Sequence, residues 1–247
     1  MNHLVITGGS KGIGWSISKK FLEMGWRVSS GSRSQVQSEL NEYVNFSHRQ
    51  TDVRESNSIS DLLNSSSEQY GKIDCFINNS GYSEWRALGE ITEEFLLDIF
   101  RTNLMGYFWG CQAASKVLTR GDSIINISSL AARRGTANNS AYVASKFGVT
   151  GLTQSLAKEL GPLGIRVNAV CPVMVETDGL KTALQKKSSP AKGDFKTFLE
   201  NFALEQTALG FLPSGEDIAN ACYFLSSSQA RAITGQSISI DSGVFPN

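Results

Sequence analysis

Short apolar runs rich in β-branched residues alternate along the chain with longer segments whose apolar residues recur at helical spacing. The runs LVIT (4–7), RVSSGS (27–32), VNFSHRQ (44–50), IDCFIN (73–78), SIINIS (123–128), IRVNAV (165–170) and SISI (237–240) read as strands. Several are nearly continuous in apolar residues, the pattern of strands covered on both faces. Helices are predicted over 12–25, 55–70, 92–118, 140–161 and 215–227. Thr92 ahead of Glu93 and Glu94, and Ser214 ahead of Glu216 and Asp217, supply helix start signals. Strands alternating with helices imply right-handed crossovers. The expected fold class is therefore a three-layer, doubly wound α/β architecture: a seven-stranded, mainly parallel sheet with helices on both faces.

Two segments depart from this regularity. In 92–118 the apolar residues Phe95, Leu96, Ile99, Phe100, Leu104, Met105, Tyr107, Phe108 and Trp109 spread well beyond one stripe. One face should meet the sheet, and a subunit interface is the expected partner for the rest. The stretch 178–213 interrupts the alternation and mixes lysines with Phe195, Phe198, Leu199 and Phe202. It reads either as a helical hairpin packed on the core or as a substrate lid.

Composition narrows the function classes. The chain has 247 residues, of which 40% are hydrophobic and 19% charged, an ordinary globular balance. No linker-like stretch or repeat divides it, so one domain over 1–247 is expected. With 23 basic and 23 acidic side chains no net field recruits nucleic acid or anionic lipid. No apolar run approaches the ~20 residues of a membrane helix, and the opening MNHLVITGG enters a strand at once, which argues against a signal peptide. Cys75, Cys111, Cys171 and Cys222 are widely spaced in apolar segments, and the chain has 2 histidines. Buried free thiols in a reducing, cytoplasmic compartment, and no metal site, are the expectation.

The candidate chemistry begins at Thr7-Gly8-Gly9-Ser10-Lys11-Gly12-Ile13-Gly14, between the first strand and the first helix. Glycines allow a sharp turn and close approach of a phosphate to backbone amides, and the helix N-terminus adds partial positive charge. In a parallel sheet this is the dinucleotide-binding turn of a Rossmann fold. At the end of the second strand an NAD site usually carries an acid for the ribose hydroxyls. Ser30-Gly31-Ser32-Arg33-Ser34 offers Arg33 instead, and Lys11 can face the same region. Two cations suit a 2′-phosphate, so NADP(H) is the expected cofactor.

Tyr142 and Lys146 stand four apart in a helical stretch and share a face. A nearby ammonium stabilises a phenolate, which brings a tyrosine into range for proton transfer. Ser129 ends the strand 123–128, at the carboxyl edge where open α/β sheets bind ligands.

With these residues the chain resembles the short-chain dehydrogenase/reductase family, in its shorter single-domain subgroup, along essentially its whole length. The resemblance rests on TGGSKGIG, Asp52-Val53, Asn78-Asn79-Ser80-Gly81, Asn103, Ser129, Tyr142-x-x-x-Lys146, Cys171-Pro172 through Thr177, and Asp241-Ser242-Gly243. It implies that Tyr142 donates a proton to a carbonyl oxygen as the reduced nicotinamide delivers hydride to the carbon, and that Ser129 hydrogen-bonds that oxygen. It implies further that Lys146 binds the nicotinamide ribose and lowers the tyrosine pKa, and that Asn103 holds a water linking Lys146 to solvent. Gly8, Ser10, Lys11, Gly12, Ile13 and Gly14 would cradle the pyrophosphate. Asp52 and Val53 would contact the adenine, Asn79 and Gly81 the adenosine ribose side, and Pro172, Val175 and Thr177 the nicotinamide carboxamide. Ser80, Val173 and Ser242 depart from the residues usual in these motifs, and none removes a catalytic group.

The substrate end is expected from Tyr82, Trp85 and Arg86, from Leu130, Arg133 and Arg134, and from the 178–213 segment. Their character suits an apolar carbonyl compound that carries an anionic group, although Arg133 and Arg134 also read as plain surface charge. The resulting expectation is an NADPH-dependent carbonyl reductase, assembled as a homotetramer or homodimer through 92–118 and 140–161. One alternative is a 3-oxoacyl-[acyl-carrier-protein] reductase: Arg120 matches a carrier-docking position, but Leu163 stands where a second arginine is expected. The Tyr–Lys spacing argues against the divergent enoyl reductases. The other alternative, a nucleotide-binding regulatory protein without turnover, has no need of Ser129, Tyr142, Lys146 and Asn103 together.

Overall fold

In a computed structural model, which describes residues 1–34 and 38–246, the strand–helix alternation folds into one seven-stranded sheet. In chain order the elements are β1 (His3–Thr7), α1 (Gly12–Glu23), β2 (Arg27–Ser32), β3 (Phe46–Gln50), α2 (Ser56–Tyr70) and β4 (Cys75–Asn78). There follow α3 (Glu93–Phe100), α4 (Gly106–Ser115), β5 (Ser123–Ile127), α5 (Ser140–Leu160) and β6 (Arg166–Pro172). The chain closes with α6 (Asp178–Leu184), α7 (Phe195–Gln206), α8 (Gly215–Ser226) and β7 (Ser237–Ile240). Strand order is β3-β2-β1-β4-β5-β6-β7, and every pairing is parallel. The order reverses between β1 and β4, which opens a crevice at the carboxyl ends of the strands.

Period-two alternation in the strands divides the core into two layers. Leu4, Ile6, Val28, Ile77, Ile125 and Val170 pack against Ile17 and Phe21 of α1 and Ile218, Cys222 and Leu225 of α8. Val5, Phe76, Ile124 and Val167 face the other way, onto Ile59, Leu62 and Leu63 of α2, Cys111 and Ala114 of α4, and Ala157 and Leu160 of α5. The start signals act as expected: Thr92 Oγ1 accepts from Phe95 N at 3.2 Å, and Ser214 forms a reciprocal cap with Asp217. All four cysteines are buried free thiols.

Some boundaries differ from expectation for local reasons. β3 begins at Phe46, since Val44 is 99% exposed and pairs with nothing. The segment 92–118 is not one helix. A π turn over Arg101–Met105 separates α3 from α4, and the helix ends at Ser115. The wide turn lets Thr102 and Asn103 point inward, while Leu97, Met105 and Phe108 remain 41–46% exposed. The 178–213 stretch supplies two helices, α6 and α7, with a small core of their own: Ala183, Leu184, Ala191 and Leu199 around Trp85.

Candidate active site

The first turn to reach the crevice is Thr7–Gly14. Gly8 adopts φ +71° and Gly12 φ +57°, conformations that favour glycine. A Cβ on Gly14 would collide with the Gly8 carbonyl and the Asn79 amide, so this packing of turn on helix requires glycine. Asn79 ties the turn to the end of β4, donating from Nδ2 to the carbonyls of Thr7 (3.1 Å) and Gly8 (3.0 Å). Lys11 forms the N-cap of α1, whose free amides face the crevice.

The crevice encloses about 870 Å³ and runs from this turn to the cap formed by α6 and α7. Its walls bring together Gly8, Ser10, Lys11, Gly12, Ile13, Gly14, Arg33, Asp52, Val53, Asn79, Gly81, Ser129, Tyr142, Lys146, Val175 and Thr177. Two candidates lie behind the wall. Pro172 is buried at the end of β6, and Asn103 is fully buried in the π turn. Asn103 is nevertheless close to the crevice, because a Cβ on Gly81 would lie 3.1 Å from its Oδ1 and 3.7 Å from Lys146 Nζ. Its side chain clamps a loop: Nδ2 donates to the Tyr82 carbonyl at 2.8 Å, and Oδ1 accepts from Tyr82 N at 3.0 Å. Thr177 caps α6, accepting from Leu180 N at 3.2 Å.

At the adenosine end the charges are arranged unequally. Arg54 donates to both carboxylate oxygens of Asp52 and, at 2.9 Å, to Asp98. Tyr82 completes the chain, its hydroxyl donating to Asp98 at 2.6 Å. The Arg54 hydrogen bond holds the Asp52 carboxyl below the usual carboxylate range. Lys11 and Arg33 form no ion pair among the described residues. The sequence reading missed Arg54, whose spacing from Asp52 is the only signal it carries.

At the other end, Ser129 follows β5 and Tyr142 and Lys146 project from α5. Tyr142 is half-buried and Lys146 is only 4% exposed. Lys146 Nζ donates to the Ile127 carbonyl at 2.9 Å and to the Tyr107 hydroxyl at 3.2 Å, and lies 5.8 Å from the Tyr142 ring centre. Burial pulls the lysine pKa down to about 7. Burial also raises Tyr142, while its hydrogen bond with Ser129 acts in the opposite direction. Desolvation dominates both groups and outweighs what lowers the tyrosine, while Lys146 donates to the Ile127 carbonyl and the Tyr107 hydroxyl. Tyr107, also missed, reads in the sequence as one more apolar residue of 92–118.

Of the expected substrate-end residues, Tyr82, Trp85, Leu130 and Arg134 line the crevice, together with Leu180, Phe198 and Phe202. Arg133 does not. Its guanidinium turns back into the fold and donates to the Ser237 carbonyl on β7. Arg86 is paired with Glu84 at 2.7 Å.

Known proteins resemble this chain in sequence and in fold. The sequence model of a family described as Enoyl-(Acyl carrier protein) reductase matches residues 8–245. The 3alpha-hydroxysteroid dehydrogenase of Mediterraneibacter gnavus is 33% identical, over 96% of this chain and 94% of its own. A 3-oxoacyl-[acyl-carrier-protein] reductase of Chlamydia muridarum is 31% identical, over 97% and 96%. Among solved structures, an actinorhodin polyketide ketoreductase with NADPH superposes with a TM-score of 0.91 at 30% identity, covering 98% of this chain and 97% of that one. The chain belongs to the short-chain dehydrogenase/reductase family, oxidoreductases that use a nicotinamide cofactor and act on small molecules.

Proposed function

We propose that this protein reduces a ketone to a secondary alcohol with NADPH. The observation that carries the reading is that Ser129, Tyr142 and Lys146 line the same crevice as the glycine turn. The residues present fit the cofactor. The turn leaves backbone amides open to a pyrophosphate, and Lys11 and Arg33 are cations free of carboxylate partners among the described residues. Asp52, which would oppose a 2′-phosphate, is sequestered by Arg54. Gly8, Ser10, Gly12, Ile13 and Gly14 would hold the pyrophosphate, Asp52 and Val53 the adenine, Asn79 and Gly81 the adenosine ribose. Tyr142 and Lys146 would hold the nicotinamide ribose, and Pro172, Val175 and Thr177 the carboxamide.

When bound, the reduced nicotinamide supplies a hydride. Ser129 donates a hydrogen bond to the substrate carbonyl oxygen and shares the charge that develops there. Tyr142 donates its phenolic proton to the same oxygen, which completes the alcohol. Lys146 in its charged form stabilises the phenolate left behind. The α6–α7 cap, within a single domain, closes the substrate end with an apolar wall that includes Trp85, Phe198 and Phe202, suited to a substrate with an apolar body. The test is NADPH oxidation with a panel of cyclic ketones and 3-oxoacyl thioesters. The Tyr142→Phe variant should lose about 100- to 10,000-fold of the rate; a variant turning over like wild type overturns the reading.

The similarity to 3-oxoacyl-[acyl-carrier-protein] reductases supports a second reading, in which a carrier docks near the site. Arg120 lies over Gly164, beside the exposed Leu163. On this reading Arg120→Glu abolishes turnover of carrier-bound substrate and spares small thioesters; equal rates with both exclude it.

We also infer a homodimer or homotetramer. Leu97, Met105 and Phe108 join Phe147 of α5 as an exposed apolar set, each 41–46% accessible. Phe108→Glu should reduce the mass seen by size-exclusion light scattering, and a wild-type chain that runs as a monomer excludes the assembly. Among the described residues no helix is long and apolar enough to cross a membrane, and we propose a cytoplasmic location.

A further inference from the structure

The lysine of the candidate site is held by a residue outside the motifs that identify the family. Tyr107 is 1% exposed, and its hydroxyl donates to the Ile127 carbonyl at 2.7 Å. With its proton committed there, the oxygen can only accept from Lys146, 3.2 Å away. Lys146 Nζ reaches the same Ile127 carbonyl at 2.9 Å. The three atoms form a closed triangle at the wall of the crevice, with Tyr107 on its buried side.

Asn103, one helical turn earlier, does not occupy this place. Its amide is spent on the Tyr82 backbone and, at 3.5 Å, on Ser145. Asn103 sits within the π turn over Arg101–Met105 and clamps the Tyr82 loop, while Tyr107, in α4 just after it, reaches the lysine.

We propose that Tyr107 is a positioning residue that seats the Lys146 ammonium, fixing its location and supplying the hydrogen-bond acceptor that keeps it charged when buried. The proposal rests on the ketone-reductase reading for its consequence in catalysis, but not for its geometry. Among the described residues the titratable groups acting on Lys146 are Tyr107 from α4, Tyr142 from α5 itself and the Cys171 thiol from β6. The backbone around it contributes the Ile127 carbonyl of β5. Among the described residues no carboxylate pairs with Lys146, so the neutral acceptors decide how readily the lysine ionises.

The test is a pH titration of protein labelled with 13Cε-lysine, with Lys146 assigned by its disappearance in Lys146→Met. Tyr107→Phe keeps the ring and removes the hydroxyl, with both its acceptor for Lys146 and its donor to the Ile127 carbonyl, and should lower the Lys146 midpoint by about one pH unit. In kcat/KM for the cofactor, which reports the free enzyme, the variant should stay within about twofold of wild type at pH 6. It should fall about tenfold below wild type at pH 8. A purely structural role for Tyr107 would lower the rate equally at all pH values. An unmoved Lys146 midpoint overturns the proposal, even if turnover declines.

Should Tyr107→Phe fail to fold, 13Cζ-tyrosine labelling of the wild type decides. The Tyr107 resonance should move with the Lys146 midpoint, and a Tyr107 signal flat through that range overturns the seat. Because the NMR readouts need no turnover, loss of the reductase reading through an active Tyr142→Phe variant is separable from loss of this one.

Discussion

Glu84 and Lys186 form a 2.6 Å ion pair that joins the loop after β4 to the segment after α6. The same carboxylate accepts from Arg86 at 2.7 Å, and next to it the Ser188 hydroxyl donates to the Trp85 carbonyl at 2.5 Å. The pair therefore ties the cap to the loop after β4. A half-exposed pair contributes about 0.5–1 kcal/mol. Lys186→Met should raise KM for the carbonyl substrate about threefold, with NADPH affinity unchanged. An unaltered KM would mean that the apolar contacts around Trp85 hold the cap unaided. Burial pushes Glu84 up, but the hydrogen bonds of Lys186 and Arg86 outweigh it, and its pKa lies below the ordinary value. The latch is thus intact above the usual carboxylate range and loosens only as pH falls through the depressed value. KM measured down to pH 5 should show no pH dependence from the titration of Glu84.

Arg33 should discriminate between the two nicotinamide cofactors. Its charge is felt at Asp52 and Asp98, yet it makes no ion pair among the described residues. Arg33→Ala should weaken NADPH binding about 10- to 100-fold, the loss of a charge-assisted contact, and leave NADH binding nearly constant. Fluorescence titration with both cofactors measures this. Equal weakening of both, or tighter binding of NADH by the wild type, removes the 2′-phosphate assignment.

Lys146 exacts a stability cost for its location. Its folded pKa, about 7, lies below the unfolded lysine value because burial disfavours the charge. At pH values below 7 the folded chain must carry a desolvated ammonium. Between about 7 and 10.4 the folded state sheds a proton that the unfolded state keeps, so stability rises with pH. Lys146→Met should abolish turnover and yet stabilise the free protein at pH 6, by on the order of 1–3 kcal/mol. The gain should shrink toward pH 10. Thermal unfolding of both proteins across this range tests it, and a variant less stable than wild type at pH 6 refutes it.

Ser242 occupies the left-handed region at φ +54°, in the turn after β7. Its carbonyl accepts from Ala208 N (2.9 Å) and Leu209 N (3.2 Å), while Asp241 Oδ1 and Oδ2 accept from Gly243 N and Phe245 N. The turn is held from several sides, and serine bears a conformational cost that glycine avoids. Ser242→Gly should stabilise the fold by about 0.5–1 kcal/mol, net of the added chain entropy, without altering kinetics. A lower midpoint in denaturant would show that the Ser242 side chain makes a compensating contact.

Much of this architecture is legible in the sequence because it depends on local pattern. Alternation at LVIT sends Leu4 and Ile6 to one helical layer and Val5 to the other, and Thr92 and Ser214 begin their helices through side-chain caps. The glycine turn and the Tyr142–Lys146 pair are similarly local. What escaped depends on contacts between distant segments. Nothing near Tyr107 distinguishes a residue bound to Lys146 from one packed in the core. The same holds for the buried chain from Asn78 to Asn126 (2.9 Å) to Thr153 (3.0 Å), which joins two strands to α5 inside the apolar layer. Arg133 and Arg134 are adjacent and chemically identical, and only the fold sends one to β7 and the other to the crevice. The π turn is invisible for a related reason: one extra residue in a helix changes which side chains face inward without changing composition.

The small core that α6 and α7 build around Trp85 is separate from the two layers of the sheet. On the proposed reading, the segment that would meet the substrate therefore owes its cohesion to residues other than those that hold Ser129, Tyr142 and Lys146. Mutations can remodel its shape and polarity while the reaction machinery keeps its geometry. On that reading the cap is an exchangeable cassette, on which selection for a new substrate can act while the enzyme stays active.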